Sequence, residues 1–144
     1  MADISSMIHD VIFAAHRLTR IAAQSTGSTT PAAVWSTLSI LSTDGPLRIG
    51  DLAKAARVSQ PSMTKLLQHL VEDETVYRIA DVEDSRAWLI AISPKGTTAL
   101  ADWRVQLSEQ LGPIFSDLSP DETTTLQNAA RILTARTNTN RKVA

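Results

Sequence analysis

Gln60, Ser62, Thr64 and Lys65 lie within six residues of one another, just after Ser59. Their types are those that touch nucleic acid. An amide reads adenine in the major groove, an ammonium reaches guanine or phosphate, and hydroxyls suit phosphate oxygens. Read without that partner, the same residues form a solvated helix face capped by Ser59. Arg86 closes an acidic stretch, Asp81 to Arg86, and suits either insertion into a narrow minor groove or a weak surface pair with Asp84. Arg48, Arg57, Ser59, His69 and Arg78 complete the candidate contacts. Other chemistry finds less support. His9 and His16 stand two turns apart beside Asp10, but the chain has only one further histidine, His69, and no cysteine, so surface histidines are expected and no metal site. There is no HExxH, GxGxxG, GxxxxGK[ST] or GxSxG pattern, and the carboxylates at 72–74 and 81–84 fall at exposed places. No catalytic residue and no cofactor are expected.

The spacing of apolar residues defines what must position these groups. Ile4, Ile8, Val11, Ile12, Ala15, Leu18 and Ile21 predict a long helix over 2–24, and Met7, Phe13, Ala14 and Ala22 widen its stripe beyond what one neighbour would cover. After a loop from Ser25 to Thr30, Thr30-Pro31 predicts a capped helix with Val34, Leu38 and Leu41 buried, ended by Asp44-Gly45-Pro46. Two helices come next almost without interruption, Ile49 to Ala56 and Ser59 to about Asp73. The second carries Met63, Leu66, Leu67, Leu70 and Val71 on one face, which leaves Gln60, Ser62, Thr64, Lys65, Gln68 and His69 outside. That pairing is a helix-turn-helix candidate. The period then changes to two over Val76–Ile79 and Trp88–Ile92, a two-stranded wing with its tip at Ala80–Ala87. Ser93-Pro94 opens a long helix with core positions Leu100, Trp103, Leu107, Leu111 and Ile114, weakened at Gly112-Pro113. Ser119-Pro120-Asp121-Glu122 is a capping box for a last helix through Leu126, Ala129, Ala130 and Leu133 to about Arg136, before a frayed end. Trp35, Trp88 and Trp103 each read as core.

The 144 residues are 43% apolar with 4% aromatic, which favours helix-on-helix packing in one domain, 1–144. No apolar run is long enough for a membrane span, and no signal peptide is recognisable, so a cytoplasmic protein is expected. Formal net charge is −1, which argues at first against a polyanionic partner. Its distribution answers the objection. Residues 48–65 hold Arg48, Lys54, Arg57 and Lys65 against Asp51, a balance of +3. Residues 66–95 hold Arg78, Arg86 and Lys95 against Glu72, Asp73, Glu74, Asp81, Glu83 and Asp84, a balance of −3, and 131–144 add Arg131, Arg136, Arg141 and Lys142 with no acid.

In this order of elements the chain resembles the multiple-antibiotic-resistance regulator (MarR) family of winged-helix transcription factors over nearly its whole length. Asp84-Ser85-Arg86-Ala87 is similar to the family's Asp-x-Arg wing tip, and Ile92-Ser93-Pro94-Lys95-Gly96 to its Leu-Thr-x-x-Gly entry to the next helix. Leu52-Ala53 with Val58-Ser59-Gln60-Pro61-Ser62-Met63-Thr64-Lys65-Leu66 resembles its helix-turn-helix, and Leu118-Ser119-Pro120-Asp121-Glu122 its final-helix start. Arg57 and Glu74 depart from the pattern, standing where the family often has glycine. A left-handed conformation there costs a non-glycine residue about 1 kcal/mol.

The resemblance implies a mainly α fold with a small β-wing, a DNA-binding lobe at 31–95, and dimerisation helices at 1–24 and 97–136. It implies a homodimeric transcriptional regulator, usually a repressor, on a pseudo-palindromic double-stranded site. It also implies Arg86 as minor-groove finger and a possible small aromatic or phenolic effector near His16, Arg20 and Trp35. The alternative is a winged-helix protein-interaction module of antirepressor type, to which the substituted glycines and the acids at 72–74 lend weight.

Overall fold

The computed structural model describes residues 3–27 and 29–138. Met1, Ala2 and the basic tail residues Arg141 and Lys142 therefore lie outside the described residues. The elements are α1 (Ile4–Ser25), α2 (Ala32–Asp44), β1 (Leu47–Arg48), α3 (Ile49–Ala56), α4 (Gln60–Glu72), β2 (Val76–Ala80), β3 (Trp88–Ile92), α5 (Pro94–Leu111), a 3-10 turn (Gly112–Phe115) and α6 (Pro120–Thr137). The mainly helical winged architecture is as the sequence implies.

Local chemistry sets most boundaries. Asp3 caps α1 by accepting from the Ser5 N–H at 3.1 Å. Ser59, Ser93 and Ser119 do the same for α4, α5 and α6, each with proline in the first turn. In α6 the Glu122 carboxylate also accepts from the Ser119 N–H, completing the capping box. Helix α2 differs from expectation, since Pro31 occupies its N-cap position and no side chain caps it.

The core forms where five elements meet. Leu38 and Leu41 of α2, Leu52 of α3, Met63, Leu67 and Leu70 of α4, Ile90 of β3 and Leu100 of α5 are buried together, each contributing about 1.5–3 kcal/mol through removal from water. Outside this lobe the helices are sparsely covered. Only Ala22 of α1 is buried and no residue of α6 is.

Three further expectations change. The sheet has three antiparallel strands in the order β1-β3-β2, because Leu47 and Arg48 pair with Ile90 and Leu89. A two-residue strand leaves no alternation to read in the sequence. Trp88 is 55% exposed rather than core. It sits opposite Ala80 at the outer end of the β2–β3 ladder, whereas Ile90, one pleat further in, lies fully in the core. Ile114 is likewise exposed, because α5 stops at Leu111 and Gly112-Pro113 starts a 3-10 turn that rotates Ile114 off the helical stripe.

Two turns fix the placement of α4. Arg57 and Glu74 adopt left-handed conformations, with φ of 57° and 62°, so the backbone shape that glycine would ease is kept without it. After Glu74 the chain locks onto the start of α5. The Ser93 hydroxyl donates to the Glu74 carbonyl at 2.5 Å, and the Ser93 N–H donates to the Thr75 carbonyl at 3.0 Å. A Cβ at position 96 would collide with that same Thr75 oxygen, so the approach requires glycine.

A polar tie secures the wing. Arg48 Nε and Nη2 donate to Asp81 Oδ2 at 2.9 and 2.6 Å, joining the end of β1 to the start of the wing loop. Asp81 Oδ1 accepts from the Glu83 N–H at 3.0 Å. That backbone hydrogen bond first, and Arg48 second, hold the Asp81 carboxyl below the ordinary carboxylate range, and Asp81 in turn raises Arg48. A depressed carboxylate stabilises the fold above its unfolded-state pKa of about 3.9 and loses that contribution as pH falls through its lower folded value.

Gly96→Ala should destabilise the chain by about 2–3 kcal/mol, and Glu74→Gly should stabilise it by no more than about 0.6 kcal/mol, the left-handed strain relieved less the greater entropy of the unfolded glycine. Urea denaturation reads both, and an unperturbed Gly96→Ala protein would contradict the close approach. Amide protection of the wing should hold from neutral pH to about 5 and fall below about pH 4. In Asp81→Asn the protection should be lower throughout and no longer fall there. Hydrogen exchange across the pH series checks this.

Candidate nucleic-acid interface

The turn between α3 and α4 is short because Arg57 reverses the chain in one step, with its N–H on the Ala53 and Lys54 carbonyls and the Val58 N–H on the Ala53 carbonyl at 3.0 Å. Helix α4 therefore starts at once. Met63, Leu67 and Leu70 turn into the core, and Gln60, Ser62, Thr64, Lys65, Gln68 and His69 are exposed on the other side.

Hydrogen bonding distinguishes the hydroxyls on this face. Ser59 Oγ accepts from the Ser62 N–H at 3.2 Å and donates to Ser62 Oγ at 2.8 Å, so the Ser62 O–H remains available to an outside acceptor such as a phosphate oxygen. Thr64 donates to the Gln60 carbonyl at 3.0 Å and can only accept from outside. The Gln60 amide oxygen lies beside Gly50, where a Cβ would be 3.6 Å away. Lys65, with Ser62, Val58, Leu66 and His69, borders a shallow depression of about 300 Å³. No carboxylate among the described residues pairs with Lys65. His69 Nδ1 is 4.0 Å from Glu72, both exposed, at the far end of the helix.

The remaining cations divide in two. Arg57, Arg78 and Arg86 are exposed. The Arg86 backbone N–H donates to Asp84 Oδ1 at 3.0 Å, a local turn bond, and among the described residues its guanidinium has no ion-pair partner. Asp84 thus shapes the wing loop rather than neutralising Arg86. Arg48 is engaged by Asp81 at the wing base, a pairing that sequence spacing over 33 positions does not reveal.

A second feature lies at the junction of α1, α2 and α5. Trp35 and Trp103 stack with ring centres 5.0 Å apart and planes 6° from parallel. They wall a cavity of about 400 Å³ with Leu18, Leu107 and Leu111. Of the three residues the family resemblance assigned to an effector, Trp35 lines this cavity, while His16 and Arg20 do not; both are exposed on α1. Trp103, Leu107 and Leu111, read as core in the sequence, form its far wall. His9 meets Phe13 edge-on at 5.8 Å, and among the described residues no group of three or more His, Cys, Asp or Glu could hold a metal ion. No helix among them is long and apolar enough to cross a membrane.

Comparison with known proteins bears on the whole arrangement. The MarR family profile matches residues 31–88. No curated protein sequence matches the chain. Among solved structures, RV1404 from Mycobacterium tuberculosis is 23% identical with a TM-score of 0.74, over 94% of this chain and 95% of that one. Wild-type apo MarR from E. coli is 20% identical with a TM-score of 0.71, over 92% and 97%. A mutant of S. aureus MepR bound to an oligodeoxyribonucleotide is 22% identical with a TM-score of 0.61, over 93% and 99%. Residues 31–88, which hold α4 and most of the wing, match the MarR family profile, and the fold of the chain from end to end is that of apo MarR from E. coli.

Proposed function

We propose that the chain is a sequence-specific, double-stranded DNA-binding transcriptional regulator of the cytoplasm, not an enzyme, and that it represses by occupying a pseudo-palindromic operator as a homodimer. The observation that carries this reading is the joint presentation of two exposed groups: the Gln60, Ser62 and Lys65 face of a capped helix, and on the wing beside it an Arg86 guanidinium without an ion pair among the described residues. Gln60 reads base edges in the major groove, Lys65 reaches phosphate and the guanine edge beside it, Ser62 donates to phosphate, and Arg86 enters the flanking minor groove. Arg57 and Arg78 add phosphate contacts, with Ser59 as the cap that orients the helix, His69 at the margin, Thr64 an acceptor, and Arg48 a strut for the wing. That a MepR mutant of similar fold is bound to an oligodeoxyribonucleotide supports DNA as the partner.

Homodimerisation is the complement of the sparse monomer packing. Ile4, Met7, Ile8, Val11, Ile12 and Phe13 of α1 and Leu126, Ile132 and Leu133 of α6 are exposed, and exposed apolar side chains grouped on helices in this way suit burial against a second copy. Two copies joined there place their α4 helices about 34–36 Å apart, one turn of DNA. A small aromatic effector in the Trp35–Trp103 cavity would release DNA if it favoured a different separation of the lobes.

Lys65→Ala should weaken all DNA binding about tenfold and flatten the salt dependence by about one unit per protomer. Arg86→Ala should lose affinity mainly on sites with A·T-rich flanks. Fluorescence anisotropy over a salt series on the DNA upstream of the protein's own gene reads both, and unchanged affinity in the two variants would refute these contacts. Light scattering should give twice the 15.6 kDa chain mass, whereas a concentration-independent monomer would refute the dimer.

A further inference from the structure

Trp35 and Trp103 are partly buried against the core and stack on each other, whereas the third tryptophan, Trp88, is 55% exposed on the wing. An indole left this far in water calls for a partner, because its ring is a large apolar plate and its N–H a donor. Neither is used within the chain. Trp88 sits directly opposite Ala80, whose methyl group is too small to cover the ring, and its Nε1–H makes no hydrogen bond among the described residues. Strand alternation places Arg78, paired with Ile90, on the same face one step diagonally from Trp88. Arg78 is exposed, and its guanidinium has no ion-pair partner among the described residues. Arg86, also unpaired there, precedes Trp88 by two residues.

The surroundings favour a polyanion over an apolar protein surface. Neither β2 nor β3 contains an acid. Of the acids in the loop between them, Asp81 and Asp84 are turned onto the Glu83 and Arg86 N–H groups, which leaves Glu83 against the two free guanidiniums. A DNA strand alternates deoxyribose with phosphate. An apolar plate with a donor at its edge, set among unpaired arginines, matches one such repeat.

We propose that Trp88 is a contact to the DNA backbone, with its ring against a deoxyribose and its Nε1–H donating to the adjoining phosphate oxygen, beside the minor groove that Arg86 enters, and with Arg78 on the same strand. This rests on the DNA-binding reading above and adds a contact of a different kind. Trp88 is uncharged, so it displaces no counterion, and it touches no base edge, so it strengthens binding to every sequence alike.

Those two properties supply the test. Fluorescence anisotropy over a salt series compares the unaltered chain, Trp88→Phe and Trp88→Ala on the DNA upstream of the protein's own gene and on a shuffled duplex of equal length. Trp88→Ala should weaken both about tenfold, in the same proportion, with an unchanged slope of log affinity against log salt. Trp88→Phe keeps a ring without the N–H and should fall between. The exposed position leaves the fold intact, which circular dichroism verifies. If Trp88 only held the wing in place, its loss would displace Arg78 and Arg86 and flatten the salt slope; that result would overturn the proposal. In chain labelled with 5-fluorotryptophan, the fluorine resonance that Trp88→Phe abolishes should shift on saturation with DNA and lose its sensitivity to deuterated solvent. A resonance that stays unshifted and solvent-exposed, or full affinity in folded Trp88→Ala, the result if Trp88 serves a protein partner, would overturn the proposal while DNA binding by the unaltered chain stands. No DNA binding by the unaltered chain would overturn both readings together.

Discussion

The contact between Gly96 and the Thr75 carbonyl governs how the two halves of the molecule are joined. It brings the first turn of α5 against the turn that ends α4, close enough that no side chain fits between, and Ser93 fastens it by bonding to Glu74 and Thr75 from the same residue that caps α5. Helix α4, proposed above to face DNA, is thereby fixed through a short stretch of backbone to α5, which leads toward the proposed dimer surface. A change in the direction of α5 would have to break or compress this contact unless the turn after α4 moved with it. The left-handed Glu74 is part of this arrangement. Its conformational cost of about 1 kcal/mol is offset where its carbonyl is aimed at the Ser93 hydroxyl.

Electrostatics in this chain works through placement rather than excess. A net charge of −1 conceals a division of labour among the arginines. Arg48 is committed to Asp81 and holds the wing to the body of the sheet, while Arg86 has its backbone tied and its guanidinium without an ion pair among the described residues. The acids of the wing act on backbone groups: Asp81 on the Glu83 N–H and Asp84 on the Arg86 N–H. They shape the loop that carries Arg86. Acidic character in this segment thus belongs to the architecture of a DNA-facing wing as naturally as to a protein-binding one.

Much of the fold was legible because local rules decide it. Ser59, Ser93 and Ser119 announce helix starts through capping chemistry confined to three residues, and the Met63-Leu67-Leu70 stripe announces which face of α4 is left for a partner. What escaped was non-local. Strand β1 exists only because β3 runs beside it, and the Arg48–Asp81 bond joins residues far apart in sequence. Trp88 looked like core by type, yet its burial depends on how far the ladder extends past the helices. For the cavity, Trp35 was legible from its type. The exclusion of His16 and Arg20 depends on the rotation of α1 about its axis, which apolar spacing on so broad a stripe does not fix.

Joint engagement of DNA by α4 and the wing of two joined copies is the centre of this account. Hydroxyl-radical footprinting of the chain on the DNA upstream of its own gene, at physiological salt, tests it directly. The expected pattern is two symmetry-related protected segments centred about 34–36 Å, one helical turn, apart, each flanked by a protected minor groove where Arg86 reaches. Uniform cleavage along the whole fragment, or a single asymmetric protected segment, would contradict it.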